Sequence, residues 1–79
     1  MMRLEFSDGI VVRSEIVETD IGLRGWGFIR PDDSAEDVWF GSNAAVEMIR
    51  TNDRVKYVLA SSPSSKSGRP AASVVRLAE

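Results

Sequence analysis

The composition of this 79-residue chain already excludes several classes of protein, because it contains neither cysteine nor histidine. That absence rules out disulfide bridges, thiol nucleophiles, imidazole acid–base catalysis and the usual soft-metal sites, and it fits a reducing compartment. The length suits one small domain over residues 1–79, and a domain of this size buries only roughly 60% of its unfolded surface. The net charge of −2 argues against binding to nucleic acid through bulk electrostatics.

The charges are unevenly distributed along the chain. Residues 1–49 carry four basic and ten acidic side chains, whereas residues 50–79 carry six basic and two acidic ones. Any polyanion must therefore be recognised locally. The first residues contain acids and no apolar run of signal-peptide length, and eighteen consecutive apolar residues occur nowhere. We therefore expect a soluble cytoplasmic protein with no membrane partner.

Short β-branched runs predict strands near the start of the chain. Residues 10–12 and 16–17 consist of Ile and Val without a helical period. Ser7-Asp8-Gly9 is typical of a turn. Before it, residues 3–6 suit a further short strand, so residues 1–9 are expected to form either an extra strand or a flexible arm.

Residues 24–30, Arg-Gly-Trp-Gly-Phe-Ile-Arg, say most about function. They follow a turn at residues 20–22 and are predicted to form one extended strand, in which successive side chains point to opposite faces. One face then carries two aromatic rings flanked by two cations, namely Arg24, Trp26, Phe28 and Arg30. Flat rings beside cations suit stacking on bases next to a phosphate backbone.

The alternative is that Trp26 and Phe28 are core residues and Ile29 lies outside. Arg24 and Arg30, at the strand ends, would then reach water along their aliphatic stems. This arrangement does not explain why the remaining positions of the solvent face would be glycines, since glycine weakens a strand where no close approach is needed.

A second strand is predicted at Asp37–Phe40, close enough to pair with the first as a hairpin. Its alternation puts Trp39 on one face and the two apolar neighbours on the other. The intervening residues 31–34 are strong turn formers. The acidic run over residues 32–37 is better explained as a solvated turn than as a hard-cation site, because it shows no recognisable ligand geometry.

The second half of the chain completes an all-β pattern. Residues 42–49 can form at most one or two helical turns, and Asn52-Asp53 predicts a turn. Residues 54–60 alternate strictly between polar and apolar, and residues 71–77 suit a final strand. The serine-rich residues 61–68 between them predict a flexible hairpin loop, with a mere linker an equally good interpretation.

About five strands with short loops, and no helix long enough for a crossover, predict a small five-stranded antiparallel barrel. Four segments in order resemble the cold-shock domain family, an OB-fold barrel that binds single-stranded RNA and DNA. Arg24–Ile29 resembles its first ribonucleoprotein motif and Asp37–Phe40 the start of its second. Asn52–Tyr57 resembles its turn and fourth strand, and Gly68–Val74 the approach to its fifth. The resemblance spans residues 10–77.

An RNA-recognition motif domain carries a similar Arg-Gly-aromatic-Gly-Phe string and is the competing fold. That fold places its companion aromatic strand upstream and needs two full helices. Here Trp39 lies downstream and the helices are missing, so the sequence favours the barrel.

The chain also departs from the family at several stacking positions. Gly41 and Ser42 stand where the family's second motif continues with a histidine and another bulky residue. An ungapped alignment puts Thr19 and Asp20 where the first strand normally presents a Trp-Phe pair, and Val46 where an aromatic often stands. The expected surface is therefore a reduced one.

The resemblance implies a nucleic-acid-binding module that acts as an RNA chaperone, with low sequence specificity and weak affinity. We expect no enzymatic activity, no cofactor and no small-molecule substrate, since a barrel this small has its interior filled by side chains. The alternative is a divergent OB barrel whose eroded face binds a protein or a second copy of the chain. The residues expected to contact nucleic acid are Arg24, Trp26, Phe28, Arg30, Trp39, Lys56, Lys66 and Arg69.

Overall fold

The computed structural model describes residues 5–61 and 68–78, and within them it contains seven strands and no helix. No described segment is a helix long and apolar enough to cross a membrane. The strands are β1 (Ser7–Ser14), β2 (Val17–Thr19), β3 (Gly22–Arg24), β4 (Trp26–Pro31), β5 (Val38–Gly41), β6 (Arg54–Leu59) and β7 (Ala72–Leu77).

Five of the strands form one curled antiparallel sheet in the order β5-β4-β1-β6-β7, and β2 and β3 form a separate two-stranded sheet. The two edges of the larger sheet meet at isolated parallel bridges, Trp39 with Ala71 and Ala45 with Val75. At the first bridge the Trp39 amide donates a 2.9 Å hydrogen bond to the Pro70 carbonyl. This is a small OB-like barrel, and the all-β fold class predicted from the sequence is confirmed.

The inner face of the sheet forms the core, and buried and outward-facing side chains alternate most regularly along β4. The largest fully buried side chains come from the five strands of this sheet and from the segment after β5, and they are Val11, Ile29, Phe40, Ile49, Val55 and Val75. No polar or charged side chain is buried in the described part of the chain. Ile29 is 0% exposed while its neighbours Phe28 and Arg30 face outward, so the alternative with Ile29 outside is wrong.

The turn predicted at Ser7-Asp8-Gly9 is also wrong, because these residues begin β1. Ser7 pairs with Tyr57 and Gly9 with Val55 on β6, while Gly9 also pairs with Pro31 on β4. The pairing of all three residues with β6, and of Gly9 with β4 as well, outweighs their local turn preference. The extra strand predicted over residues 3–6 falls largely outside the described residues, and Glu5 and Phe6 are irregular.

The predicted strand over residues 24–30 is interrupted at Gly25. This residue has a φ of +118° and separates β3 from β4. A Cβ atom here would overlap the Glu15 carbonyl group, so the position requires glycine both for its φ and for the close approach of the chain. Arg24 therefore ends β3, in the two-stranded sheet, and does not continue the alternation of Trp26 and Phe28.

Residues 42–49 contain turns and no helix. The amides of Ala44 and Ala45 donate to the carbonyls of Gly41 and Ser42, three residues back. The chain then runs beside β7, where the Val46 amide donates to the Val75 carbonyl at 3.1 Å. A helix cannot form here because the backbone groups of this segment hydrogen-bond to β7 and help to close the barrel.

Candidate nucleic-acid interface

Three aromatic rings lie together on the outer face of the larger sheet, the face turned away from the core. Phe28 on β4 is directly opposite Trp39 on β5, and Trp26 is two residues along β4, opposite Gly41. All three side chains are half-buried, so part of each remains open to solvent. We refer to Trp26, Phe28 and Trp39 as the ring cluster.

The rings of Trp26 and Phe28 pack edge to face. Their centroids are 5.8 Å apart and their planes are inclined at 75°. This is a preferred geometry for an aromatic pair, and it fixes the orientation of both rings before any ligand arrives. Two flat groups stacked on these rings would lie at a steep angle to each other.

Gly41 makes room for the third ring. A Cβ atom on Gly41 would lie 3.0 Å from Cη2 of Trp39, so the indole lies against the glycine backbone. Gly41 stands at a position where the family resemblance led us to expect a bulky side chain. In this chain the place of that side chain is partly taken by the Trp39 ring itself.

Two guanidinium groups lie over the ring cluster. Arg69, in the segment that leads into β7, places its Cζ atom 5.9 Å from the Phe28 ring centroid. Arg13, on β1, places its Cζ atom 5.0 Å from the Trp26 ring centroid. Such contacts contribute roughly 0.5 to 1 kcal/mol at exposed sites.

Arg13 was not among the residues predicted from the sequence, and a β-bulge is the reason. Val11 is buried against the core and pairs with Ile29, whereas Arg13 pairs with Phe28, which leaves Val12 as an extra residue. Strict alternation from Val11 would have turned Arg13 inward. The bulge turns it outward beside the ring cluster, and no residue in the sequence marks the bulge.

On β1, the residues beside the ring-bearing part of β4 are therefore Arg13, which pairs with Phe28, and Ser14, which pairs with Gly27. Thr19 and Asp20, the neighbours implied by the ungapped alignment, lie instead at the tip of the β2–β3 hairpin. There the Thr19 hydroxyl donates a 2.7 Å hydrogen bond to the Gly22 carbonyl.

The other predicted cations are less directly associated with the rings. Arg30 shares their face of β4, but its Nε atom is 3.1 Å from Oδ1 of Asp37. Lys56 lies on β6, two strands away from β4, with its Nζ atom 2.7 Å from Oδ1 of Asp8. The Arg24 guanidinium donates to the carbonyl of Leu23, on the two-stranded sheet. Lys66 lies outside the described residues.

Ion pairs also lie on the outer face, and they join Arg30 to Asp37, Arg54 to Asp32 and Lys56 to Asp8. Arg54 donates two hydrogen bonds to the Asp32 carboxylate, at 3.1 and 2.8 Å, and this pairing raises the pKa of Arg54. The hydrogen bond and the positive charge of Lys56 lower the pKa of Asp8. The acidic run over residues 32–37 is thus partly used in ion pairs, and the described residues contain no cluster of three or more groups that could hold a metal ion.

No protein-family model matches the chain, and no curated protein sequence matches it.

Proposed function

We propose that this chain is a cold-shock-like module that binds single-stranded RNA or DNA by stacking bases on the ring cluster. The observation that carries the proposal is the placement of three half-buried rings, two of them under guanidinium groups, on the outer face of an OB-like barrel. Aromatic platforms beside cations are how proteins bind single strands without reading base edges. The module would hold strands unpaired in the cytoplasm, as a passive RNA chaperone.

The size of the ring cluster limits the affinity. Stacking contributes about 1 to 3 kcal/mol per base, so three rings supply on the order of 3 to 9 kcal/mol before ordering costs. A micromolar dissociation constant corresponds to about 8 kcal/mol. We therefore expect micromolar or weaker binding.

The charges near the ring cluster limit the salt dependence. Arg13 and Arg69 are the cations whose guanidinium groups lie over the ring cluster, so they are the nearest cations for phosphates. Two phosphate contacts to a single strand correspond to a log-log salt slope of roughly −1.4. A slope this shallow would distinguish ring-driven binding from binding by a basic patch.

A protein interface on the same face is the second candidate. The ion pairs of Arg30, Arg54 and Lys56 neutralise much of the outer face internally, which suits an apolar partner surface or a second copy of the chain. Exposed tryptophan is as favourable in protein interfaces as on a base-stacking surface.

Truncation of single rings tests the proposal. We expect Trp26→Ala and Trp39→Ala each to weaken binding of a labelled oligo-dT or oligo-U by about five- to 150-fold at low salt, because each removes one stacking platform. Fluorescence anisotropy of the labelled oligonucleotide measures the affinity without relying on the mutated tryptophans.

Phe6→Ala is the matched control. Phe6 is also an aromatic residue under an arginine, but that arginine is Arg76, which pairs with Lys56 at the end of β7 away from the bridge to Trp39. Its truncation should leave the affinity unchanged. Absence of binding by the unmodified protein at submillimolar oligonucleotide would exclude the proposed function, and a concentration-dependent dimer in sedimentation would then favour the protein interface.

A further inference from the structure

The guanidinium of Arg13 lies over the Trp26 ring and occupies space that a stacked base would need. Its Cζ atom is 5.0 Å from the ring centroid, within the roughly 4.5 to 7 Å that separates the centroids of packed aromatic rings, so it stands where a base would. The Trp26 ring also packs edge to face with Phe28, and Gly41 on β5 is the cross-strand partner of Trp26. A base can therefore use the face of Trp26 under Arg13 only if the guanidinium moves.

Arg13 is only weakly held in this position. Apart from the ring, its contact is with Glu15, and the Nε to Oε2 distance of 3.4 Å is the longest of the ion pairs in residues 5–61 and 68–78. Both side chains are more than half exposed, at 61% and 52%. By contrast, Arg30 contacts an Asp37 side chain that is only 22% exposed. Exposed pairs of this kind add little stability, so the Arg13 side chain can leave at small cost.

We propose that Arg13 exchanges partners when a single strand binds: a base takes its place on Trp26, and the guanidinium moves to a phosphate of the same strand. This inference rests on the proposed function. Base stacking on a ring is stronger than an exposed cation–ring contact, and a guanidinium–phosphate pair is a charge-assisted hydrogen bond, so both halves of the exchange favour the complex. Arg13 is thus a binding residue of the interface, placed there by the bulge at Val12.

The test compares Arg13→Gln and Arg13→Lys with the unmodified protein. Affinity for a labelled oligo-dT is measured over a series of salt concentrations. We expect Arg13→Gln to weaken binding by about three- to tenfold at low salt and to make the log-log salt slope shallower by about 0.7, the value for one phosphate contact on a single strand. Arg13→Lys keeps the charge and should keep the slope.

Arg76→Gln is the matched control, because Arg76 also lies over an aromatic ring, 4.6 Å from the Phe6 centroid, but pairs with Lys56 at the end of β7 away from the bridge to Trp39. It should change neither the affinity nor the slope. A second arm uses an oligonucleotide with neutral methylphosphonate linkages. If Arg13 pairs with a phosphate, the loss caused by Arg13→Gln should disappear with this probe, since the two changes remove the same interaction.

The outcomes separate the two proposals. No binding by the unmodified protein excludes the proposed function itself. Binding by the unmodified protein with an unchanged slope in Arg13→Gln overturns the role of Arg13 alone. Tighter binding by Arg13→Gln also overturns it, because Arg13 would then only cover the ring. Circular dichroism of each variant confirms that the exposed substitution leaves the barrel folded.

Discussion

At the scale of single residues, Gly25 decides where the Trp26 and Phe28 strand begins. Its φ of +118° ends the two-stranded sheet, and the chain at Glu15 passes too close for any side chain. The next residue, Trp26, starts β4 with its ring on the outer face. The placement of a ring in the interface thus depends on a neighbour that has no side chain.

Gly25→Ala should strongly destabilise the protein, and Gly22→Ala is its matched control. Gly22 has nearly the same φ, +114°, but no atom lies within 4 Å of the position of an added Cβ. Both substitutions therefore introduce backbone strain of about 1 to 3 kcal/mol, while only Gly25→Ala adds the collision with the Glu15 carbonyl. Urea denaturation measures both losses, and equal losses would show that the close approach is unimportant.

At the scale of strands, the faces could be predicted from the sequence but the interruptions could not. The alternation of β4 predicted that Trp26 and Phe28 share one face and that Ile29 lies on the other. The turn formers at residues 31–34 indicated the hairpin in which Phe28 pairs with Trp39. The bulge at Val12 has no residue signature, and it decides the face on which Arg13 lies. Ser7–Gly9 form a strand because all three residues pair with β6 and Gly9 also pairs with β4, and local preference does not reveal such tertiary pairing.

The pairing of β1 with β6 gives a prediction about Lys56. Because its ammonium group contacts Asp8 and lies two strands from the ring strand, we expect Lys56→Ala to weaken oligonucleotide binding less than twofold, well below the effect of Trp26→Ala. The same variant should raise the pKa of Asp8 toward its ordinary value, because the hydrogen bond and charge that lower it are removed. Side-chain carboxyl shifts in an NMR titration measure this pKa.

The sign of the associated pH dependence follows from the lowered pKa of Asp8. Its contribution to stability is present above the ordinary carboxyl value of 3.8 and is lost as the pH falls through the lower folded value.

A loss of binding in Lys56→Ala as large as that in Trp26→Ala would instead place Lys56 in direct contact with the nucleic acid.

At the scale of the whole molecule, one small core supports the barrel. The core includes Tyr57, whose phenol can ionise. Tyr57 is the single tyrosine of the chain and is 3% exposed, and burial raises the pKa of its phenol. Burial favours the neutral phenol, so its contribution to folding is complete below the ordinary pKa of about 10. It is lost as the pH rises through the higher folded value.

We therefore expect the tyrosinate absorbance of the native protein to appear above pH 10 and together with the loss of β-sheet circular dichroism. Tyr57→Phe removes the ionisable group and should keep the barrel folded to higher pH. Ionisation of Tyr57 at its ordinary pKa with the barrel intact would contradict this expectation.

Trp39 has two roles, because its amide hydrogen-bonds to Pro70 where the sheet edges meet while its ring lies in the ring cluster. The rings all come from β4 and β5, but the complete interface also includes Arg69, from the segment before β7. It is assembled only when the last strand docks beside β5, so folding and ligand occupancy are linked equilibria. A ligand held by this surface raises the free energy of unfolding in proportion to the logarithm of its concentration once the site is saturated.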